Sequence, residues 1–361
     1  MTPPRLPDHR ARLAEILVEN RLDALVLCGL PNIRYLTGFT GSNALLLITR
    51  QDAVFYTDGR YGTQSAQEVR DARIIVRRSG SILRSLIGSI KLRRLRRLGF
   101  ESNRAGYEFY QTLRSSLPGI GLKGLSGVIE NLRVVKSPEE VAAIRRSVRL
   151  NSAVFEASIR RIRPGHSEAG VAAAIEHRMR RRGGEKAAFE TIVAAGVRSA
   201  LPHARPTSNP LKTNELIIVD QGVILDGYAS DMTRTIALGS LGSRARRVYY
   251  AVLEAQQAAI AVVRAGVQAR DVDREARRVL DHYGLEKAFV HSTGHGVGLE
   301  IHERPRLGRG ERTKLEAGMV ITIEPGAYLE GFGGVRIEDM VLVTDRGCDV
   351  LTPTPKDLWV L

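Results

Sequence analysis

The stretch LIIVDQGVILDGYASDMTRTI, Leu216 to Ile236, decides how this chain is read. The apolar run Leu216 to Val219 delivers Asp220, and after a turn at Asp226-Gly227 the chain returns through Tyr228 and delivers Asp231. Alternation on both sides of an Asp-Gly turn predicts a β-hairpin, which sets two carboxylates on neighbouring strands. About a hundred residues later the pattern returns. Asp220-x-Gly222-x-x-Leu225-Asp226-Gly227-Tyr228 is echoed by Glu324-x-Gly326-x-x-Leu329-Glu330-Gly331-Phe332, and this second strand pair runs on to Glu338. An acidic residue ending an apolar strand twice, each time with an acidic partner across a turn, points to a multi-carboxylate metal site. Asp220, Asp231, Glu324 and Glu338 converging without cations would repel one another, and some would be forced to stay protonated. Two divalent cations balance them. Carboxylate-rich ligation suits manganese, cobalt or zinc, and an imidazole in the set tilts it away from calcium.

The segments flanking the two hairpins repeat as well. Ser137-Pro138-Glu139-Glu140 is a capping box that opens a helix running towards Arg161. A second helix, about Ser167 to Arg182, ends at Gly183-Gly184, and a strand from Phe189 to Ala195 leads to a loop through Pro202-His203 and then to the first hairpin. After that hairpin come a long helix, about Arg244 to Val263, and a shorter one, about Val272 to Tyr283. A glycine-rich segment and the second strand pair follow. The helix junctions correspond too: Arg163-Pro164-Gly165 is followed by Val171, as Arg264-Ala265-Gly266 is by Val272. A consistent offset between such separated features argues for an internal duplication. Residues 129–361 are therefore expected to form two α-α-β halves about a pseudo-two-fold axis, with the carboxylates at the junction. Strand parity puts Thr233 and Thr235 on the face of Asp231, and Arg336 on the face of Glu338, as an orienting group or a substrate contact.

Residues 1–128 read as a smaller α/β domain. Pro7 to Asn20 looks like an amphipathic helix, Asp23 to Cys28 like a buried strand, and Asn43 to Thr49 and Ala53 to Thr57 like two more. A helix from about Arg60 to Val69, a strand from Arg73 to Arg77 and a helix near Tyr107 to Ser115 continue the alternation. This part carries no catalytic constellation. Its Tyr35 to Gly41 loop reads as a structural turn in preference to a substrate contact.

Composition bounds the rest. A chain of 361 residues with 43% hydrophobic and 26% charged residues is a soluble globular protein of one large and one smaller domain. No apolar run approaches the roughly 18 residues that span a bilayer. MTPPRLPDHRARL has no apolar signal region, and Cys28 and Cys348 make no metal or redox motif, so the expected compartment is the cytoplasm. The net charge of +15 raises nucleic-acid binding. The surplus arginine is spread along helices, however, and neither a zinc finger nor an aromatic-rich RNA-binding signature accompanies the basic cluster Lys91 to Arg97, so no specific nucleic-acid partner is expected.

The imidazole is sought in GHGVGLEIHERPRL, Gly294 to Leu307. Glycines at 294, 296 and 298 leave room for backbone to pass close to a cluster. His295 and His302 would fall on opposite faces of a plain strand, so one ligates and the other serves chemistry. The H-E-x-x-H spacing of zinc proteases is absent.

With these residues assembled, the chain from about Asn131 to Leu361 resembles the pita-bread metallopeptidases: prolidase, Xaa-Pro aminopeptidase and methionine aminopeptidase. The resemblance rests on Leu201-Pro202-His203-Ala204, VDQG and SDMTRT, GHGVGLEIHE, Thr322-Ile323-Glu324-Pro325-Gly326 and Gly334-Val335-Arg336-Ile337-Glu338-Asp339. It implies a C-terminal pita-bread fold behind an N-terminal domain of the prolidase kind. It also implies Asp220, Asp231, His295, Glu324 and Glu338 as ligands of two divalent ions, manganese first. His203 and His302 are implied as catalytic histidines that contact substrate and the tetrahedral intermediate, His291 as a further substrate-side group and Glu324 as proton carrier. Arg306 resembles the arginine with which some prolidases hold the carboxylate of a C-terminal proline. The implied substrates are short peptides with proline in second position. An Xaa-Pro dipeptidase is favoured narrowly over an Xaa-Pro aminopeptidase, and the family suggests a homodimer.

Overall fold

The computed structural model describes residues 6–361 and divides into two compact units, one ending at Arg133 and one from Val134 to Leu361. The first five residues, part of the stretch that lacks a signal-like run, lie outside the described residues.

The first unit runs α1 (Leu6–Glu19), β1 (Ala24–Leu27), α2 (Leu30–Thr37), β2 (Ala44–Thr49), β3 (Ala53–Asp58), α3 (Gly62–Glu68), β4 (Arg73–Arg77), α4 (Ile82–Leu92), β5 (Arg97–Glu101), α5 (Tyr107–Ser116), β6 (Gly121–Leu125) and α6 (Val128–Leu132). Its strands form one mixed six-stranded sheet in the order β4-β3-β2-β1-β5-β6. β2 is antiparallel to β1 and β3, and the outer pairings are parallel. Val26, Leu47, Val54 and Leu98 on the inner strands are fully buried, each stabilising the fold by roughly 1.5–3 kcal/mol. Tyr35 to Gly41 is not a free turn. Pro31 opens α2, Gly38 closes it at φ 81°, and the Tyr35 hydroxyl donates to Leu132 O at 2.9 Å. The helix was hidden because it is only eight residues long. The unit closes at Arg133, five residues beyond the boundary read from the sequence, because the Arg133 guanidinium donates to Asn32 Oδ1 at 2.7 Å within this same unit.

The second unit begins with α7 (Pro138–Ile159), whose capping box is complete: Glu140 N donates to Ser137 Oγ and Ser137 N to Glu140 Oε2. Then follow α8 (Glu168–Arg181), β7 (Lys186–Ala187), β8 (Ile192–Ala195), β9 (Glu215–Gln221), β10 (Val223–Leu225), β11 (Tyr228–Ala229) and β12 (Met232–Leu238). The other half holds α9 (Ser243–Val262), α10 (Ala269–His282), β13 (Gly294–Gly296), β14 (Glu303–Leu307), β15 (Val320–Ile323), β16 (Gly326–Leu329), β17 (Gly333–Arg336) and β18 (Asp339–Val343), and the chain ends with β19 (Cys348–Val350) and β20 (Trp359–Val360). One sheet is ordered β20-β12-β9-β8 and the other β14-β13-β15-β18-β19. Val171 and Val272, the matching residues of the two helix junctions, are both buried.

Each expected hairpin is broken in two. β9 pairs with β12, with Asp220 opposite Thr233, while β10 and β11 leave this sheet and pair beyond it through Asp226 (φ 52°) and Gly227 (φ 82°). β15 pairs with β18 and β16 with β17 in the same manner. Ser230-Asp231 and Ile337-Glu338 therefore sit at strand breaks, where the chain bends and a side chain can turn into the junction. Among the described residues no helix is long and apolar enough to cross a membrane, and both cysteines are free.

Candidate metal centre

Asp220 comes from the end of β9, Asp231 from the break before β12, His295 from the middle of β13, Glu324 from just past β15, and Glu338 from the break before β18. Asp231, His295 and Glu338 each offer a ligand atom within 4.8 Å of the other two. His295 Nε2 lies 3.6 Å from Asp231 Oδ2 and 3.5 Å from Glu324 Oε1. Its Nδ1 is 3.0 Å from Gly296 O. A proton donated there leaves the Nε2 lone pair directed at the carboxylates, the tautomer a metal requires.

The glycines flanking His295 have a steric reason. A Cβ at Gly294 would lie 1.9 Å from Thr322 O, and one at Gly296 would lie 2.1 Å from Arg304 O. Backbones from β14 and β15 press against β13 from both sides. The parity argument for His295 and His302 fails in its premise, since β13 ends one residue after His295 and the chain turns before His302. Their rings pack edge to face, 4.4 Å between centroids, and His302 stays half-open to solvent. Of the two, His295 is the one whose nitrogen reaches the carboxylates.

Around the cluster lies a hydrogen-bond frame. Thr233 Oγ1 donates to Glu338 Oε2 at 2.7 Å and accepts from Arg336 Nε at 3.1 Å. Arg336 Nη2 donates to Asp220 Oδ2 at 2.7 Å, and Nη1 donates to Pro202 O and to the Tyr328 hydroxyl. Thr235 Oγ1 joins both backbone groups of Arg336. Arg336 is buried and most of its donors are engaged, an arrangement that suits an orienting role better than a substrate contact.

His291 Nε2 is 2.8 Å from the Tyr328 hydroxyl, and its Nδ1 is 2.8 Å from Ser292 O. A relay follows from the donor inventory: Arg336 donates to Tyr328, Tyr328 to His291, and His291 to Ser292 O. Burial pushes His291 down to about 4, so the ring is neutral, as the relay needs. His203, on the exposed loop after β8, lies near enough to His291 and His302 to disfavour a positive charge on either. Arg306 is paired with His295 across β13 and β14 and stands exposed on a cleft of about 860 Å³ that His291, Ser292 and Phe289 also line.

Electrostatically the cluster is strained without cations. Burial, reinforced by the charges of Glu338, Asp220 and Glu324, holds Asp231 well above the usual carboxylate range. Burial, with Glu324 and Asp220, does the same to Glu338. Glu324 is pushed up to about 7 by burial against the opposing pull of Arg336. Asp220 Oδ1 is buried and has no hydrogen-bond partner, a position that costs about 1–3 kcal/mol unless something binds it. An orphaned oxygen, a directed imidazole and four carboxylates facing one guanidinium fit divalent metal.

Residues 142–345 match metallopeptidase family M24, and residues 9–135 match the creatinase/prolidase N-terminal domain. The chain belongs to metallopeptidase family M24. An Xaa-Pro dipeptidase of Pyrococcus horikoshii is 35% identical over 96% of this chain and 97% of its own length. The structure of an Xaa-Pro dipeptidase from Bacillus anthracis superposes with a TM-score of 0.96 at 36% identity, covering 99% of this chain and all of that one. An X-Pro aminopeptidase from Thermotoga maritima gives 0.91 at 31% identity, covering 98% of this chain and all of that one. As an M24 enzyme with the pita-bread fold the protein is a divalent-metal peptidase. Tyr328 went unnoticed in the sequence. Its signal is its place on the strand that leaves Glu324, in the second half's copy of the motif.

Proposed function

We propose that this M24 peptidase is an exopeptidase that uses two divalent ions, manganese first and cobalt or zinc as alternatives, to cleave the bond between an N-terminal residue and proline. The observation that carries this reading is the convergence of Asp220, Asp231, His295, Glu324 and Glu338, linked through Arg336 and Tyr328 to His291 on an open cleft. These five residues would hold the ions. When bound, divalent ions supply Lewis acidity to a peptide carbonyl and bring water within reach of ionisation near neutral pH.

The chain's own groups do the rest. His203 and His302 present imidazoles at the exposed rim, where they can donate to the oxygen that gains charge as the carbonyl is attacked. The Glu324 side chain is 17% exposed, against 7% for Asp231, which supports Glu324 as the carboxylate that passes a proton between cluster and leaving nitrogen. His291, kept neutral by burial, borders the same cleft. The Arg306 side chain is exposed there with no hydrogen-bond partner among the described residues, and its planar fork matches the carboxylate of a C-terminal proline. That favours a dipeptidase. The breadth of the cleft favours the second reading, an Xaa-Pro aminopeptidase on longer peptides. A cytoplasmic homodimer completes the proposal, supported by the free cysteines for the compartment and by the family resemblance for the dimer.

The test is a product assay on metal-stripped protein resupplied with manganese, cobalt or zinc. Cleavage of Ala-Pro and Met-Pro but not of longer Xaa-Pro-Xaa peptides supports the dipeptidase. Release of the first residue from the longer peptides makes it an aminopeptidase. Inactivity with every metal overturns both.

A further inference from the structure

Two buried carboxylates outside the metal cluster share a design. Glu168, the first residue of α8, is fully buried. It accepts from Ala195 N at 3.0 Å, from Arg198 Nε at 3.1 Å, and from Thr207 through both N (3.0 Å) and Oγ1 (2.8 Å). Arg198 Nη2 then donates to Arg205 O at 2.7 Å. One carboxylate thus ties both ends of the loop that carries His203.

Asp273 on α10 is equally buried. It accepts from Arg277 Nε at 2.8 Å and from Thr293 Oγ1 at 2.8 Å. Arg277 lies over the Phe289 ring at 4.3 Å and donates to Phe289 O at 3.0 Å and His291 O at 2.6 Å. Here the loop that carries His291 is tied down. Thr293 O also accepts from Glu324 N at 2.7 Å, so the tie continues to a residue of the cluster.

Each half therefore fastens its histidine loop to its second helix with an acid, an arginine, a threonine hydroxyl and a backbone carbonyl close to the histidine. The parts do not occupy matching positions of the duplication. In one half the arginine lies on the loop, in the other on the helix. The same restraint built twice from different residues points to the restraint as what matters. A buried acid of this kind is costly unless fully satisfied; Glu168 is satisfied by the loop it holds, and Asp273 by its loop together with Arg277 of its own helix.

We propose that Glu168 and Asp273, each with its arginine, are positioning residues that fix His203 and His291 for catalysis. This rests on the peptidase reading above. The test uses metal-loaded, full-length protein carrying Asp273→Asn, Arg277→Lys or Glu168→Gln. Metal content should be unchanged and kcat should fall roughly tenfold or more. Lysine at 277 offers a single nitrogen in place of the three spread nitrogens that reach Asp273, Phe289 O and His291 O, so it should not rescue.

A double-mutant cycle separates positioning from general damage. In a His291→Ala background, Asp273→Asn should cost little further kcat, and Glu168→Gln should likewise cost little beside His203→Ala. Fully additive losses overturn the proposal. Hydrogen exchange decides the restraint without any activity: the Asp273→Asn and Arg277→Lys variants should exchange faster at residues 289–293, with β9 and β15 unchanged. Wild-type inactivity on every peptide overturns the functional reading, whereas unchanged exchange in these loops overturns the restraint itself.

Discussion

Stripped of metal, the C-terminal unit is expected to lose stability as pH rises from about 4.5 to about 7, the reverse of ordinary acid denaturation. The perturbation is chelation, which leaves buried carboxylates facing one another. Glu324 is moved from 4.5 to about 7 by burial, a preference for the proton worth about 3 kcal/mol at about 1.4 kcal/mol per pH unit. Between those values the native chain keeps a proton that the unfolded chain has released, so stability falls as pH climbs. Asp231 and Glu338 are raised as well, by burial and the neighbouring carboxylates, and add to the fall. The single tryptophan, Trp359, packs edge-on against Phe155 within this unit and reports its unfolding. Urea titrations of chelated protein followed by its fluorescence, from about pH 5 to about pH 8, should show a falling unfolding free energy. Added manganese should stabilise more at the alkaline end. Glu324→Gln should flatten the metal-free profile by about 3 kcal/mol. Equal stability of the chelated protein at both ends would refute the reasoning.

Asp231→Ala should abolish both metal retention, by elemental analysis, and turnover; retained activity sinks the assignment of the centre. Arg336→Met removes the partner of a buried carboxylate at 2.7 Å and should destabilise the protein by roughly 3–5 kcal/mol in urea, with part of the loss recovered on metal loading. Thr233→Val deletes the hydroxyl that holds Glu338, and a roughly tenfold loss in metal affinity by titration calorimetry is expected. Arg306→Ala should lower kcat/KM for Xaa-Pro dipeptides by roughly 10- to 100-fold, the worth of a charge-assisted pair, and leave C-terminally amidated substrates unaffected.

What the sequence disclosed was local or periodic. The Asp226-Gly227 turn, the capping box at Ser137 and the alternation of β9 and β12 each depend on residues within a few positions, and each stands where the spacing puts it. The breaks in the two hairpins left no such trace, because alternation runs on through Gly222 while the chain bends. The bend becomes intelligible only in space: a Cβ at Gly222 would meet Ser230 O at 2.2 Å, so the returning strand passes too close for any side chain. His295 and His302 illustrate the same limit. Their spacing separates them on a plain strand, yet a turn after Gly296 brings the rings together.

Tyr328, Asp273 and Arg277 were illegible for another reason, since the loop around His291 that each of them holds lies well away in the chain. The contacts that orient the cluster show what that distance achieves. Thr233 holds Glu338, Arg336 holds Asp220, and Thr235 holds the backbone of Arg336. Each bond joins a residue of the first half to one of the second. The repeat supplied similar strands to both halves, but the ligands are divided unequally, with two carboxylates from one half and two carboxylates and the imidazole from the other. Asp220 and Glu338 are each held by a side chain of the opposite half. The orientation of Asp220 and Glu338 therefore depends on side chains that reach across the pseudo-two-fold axis.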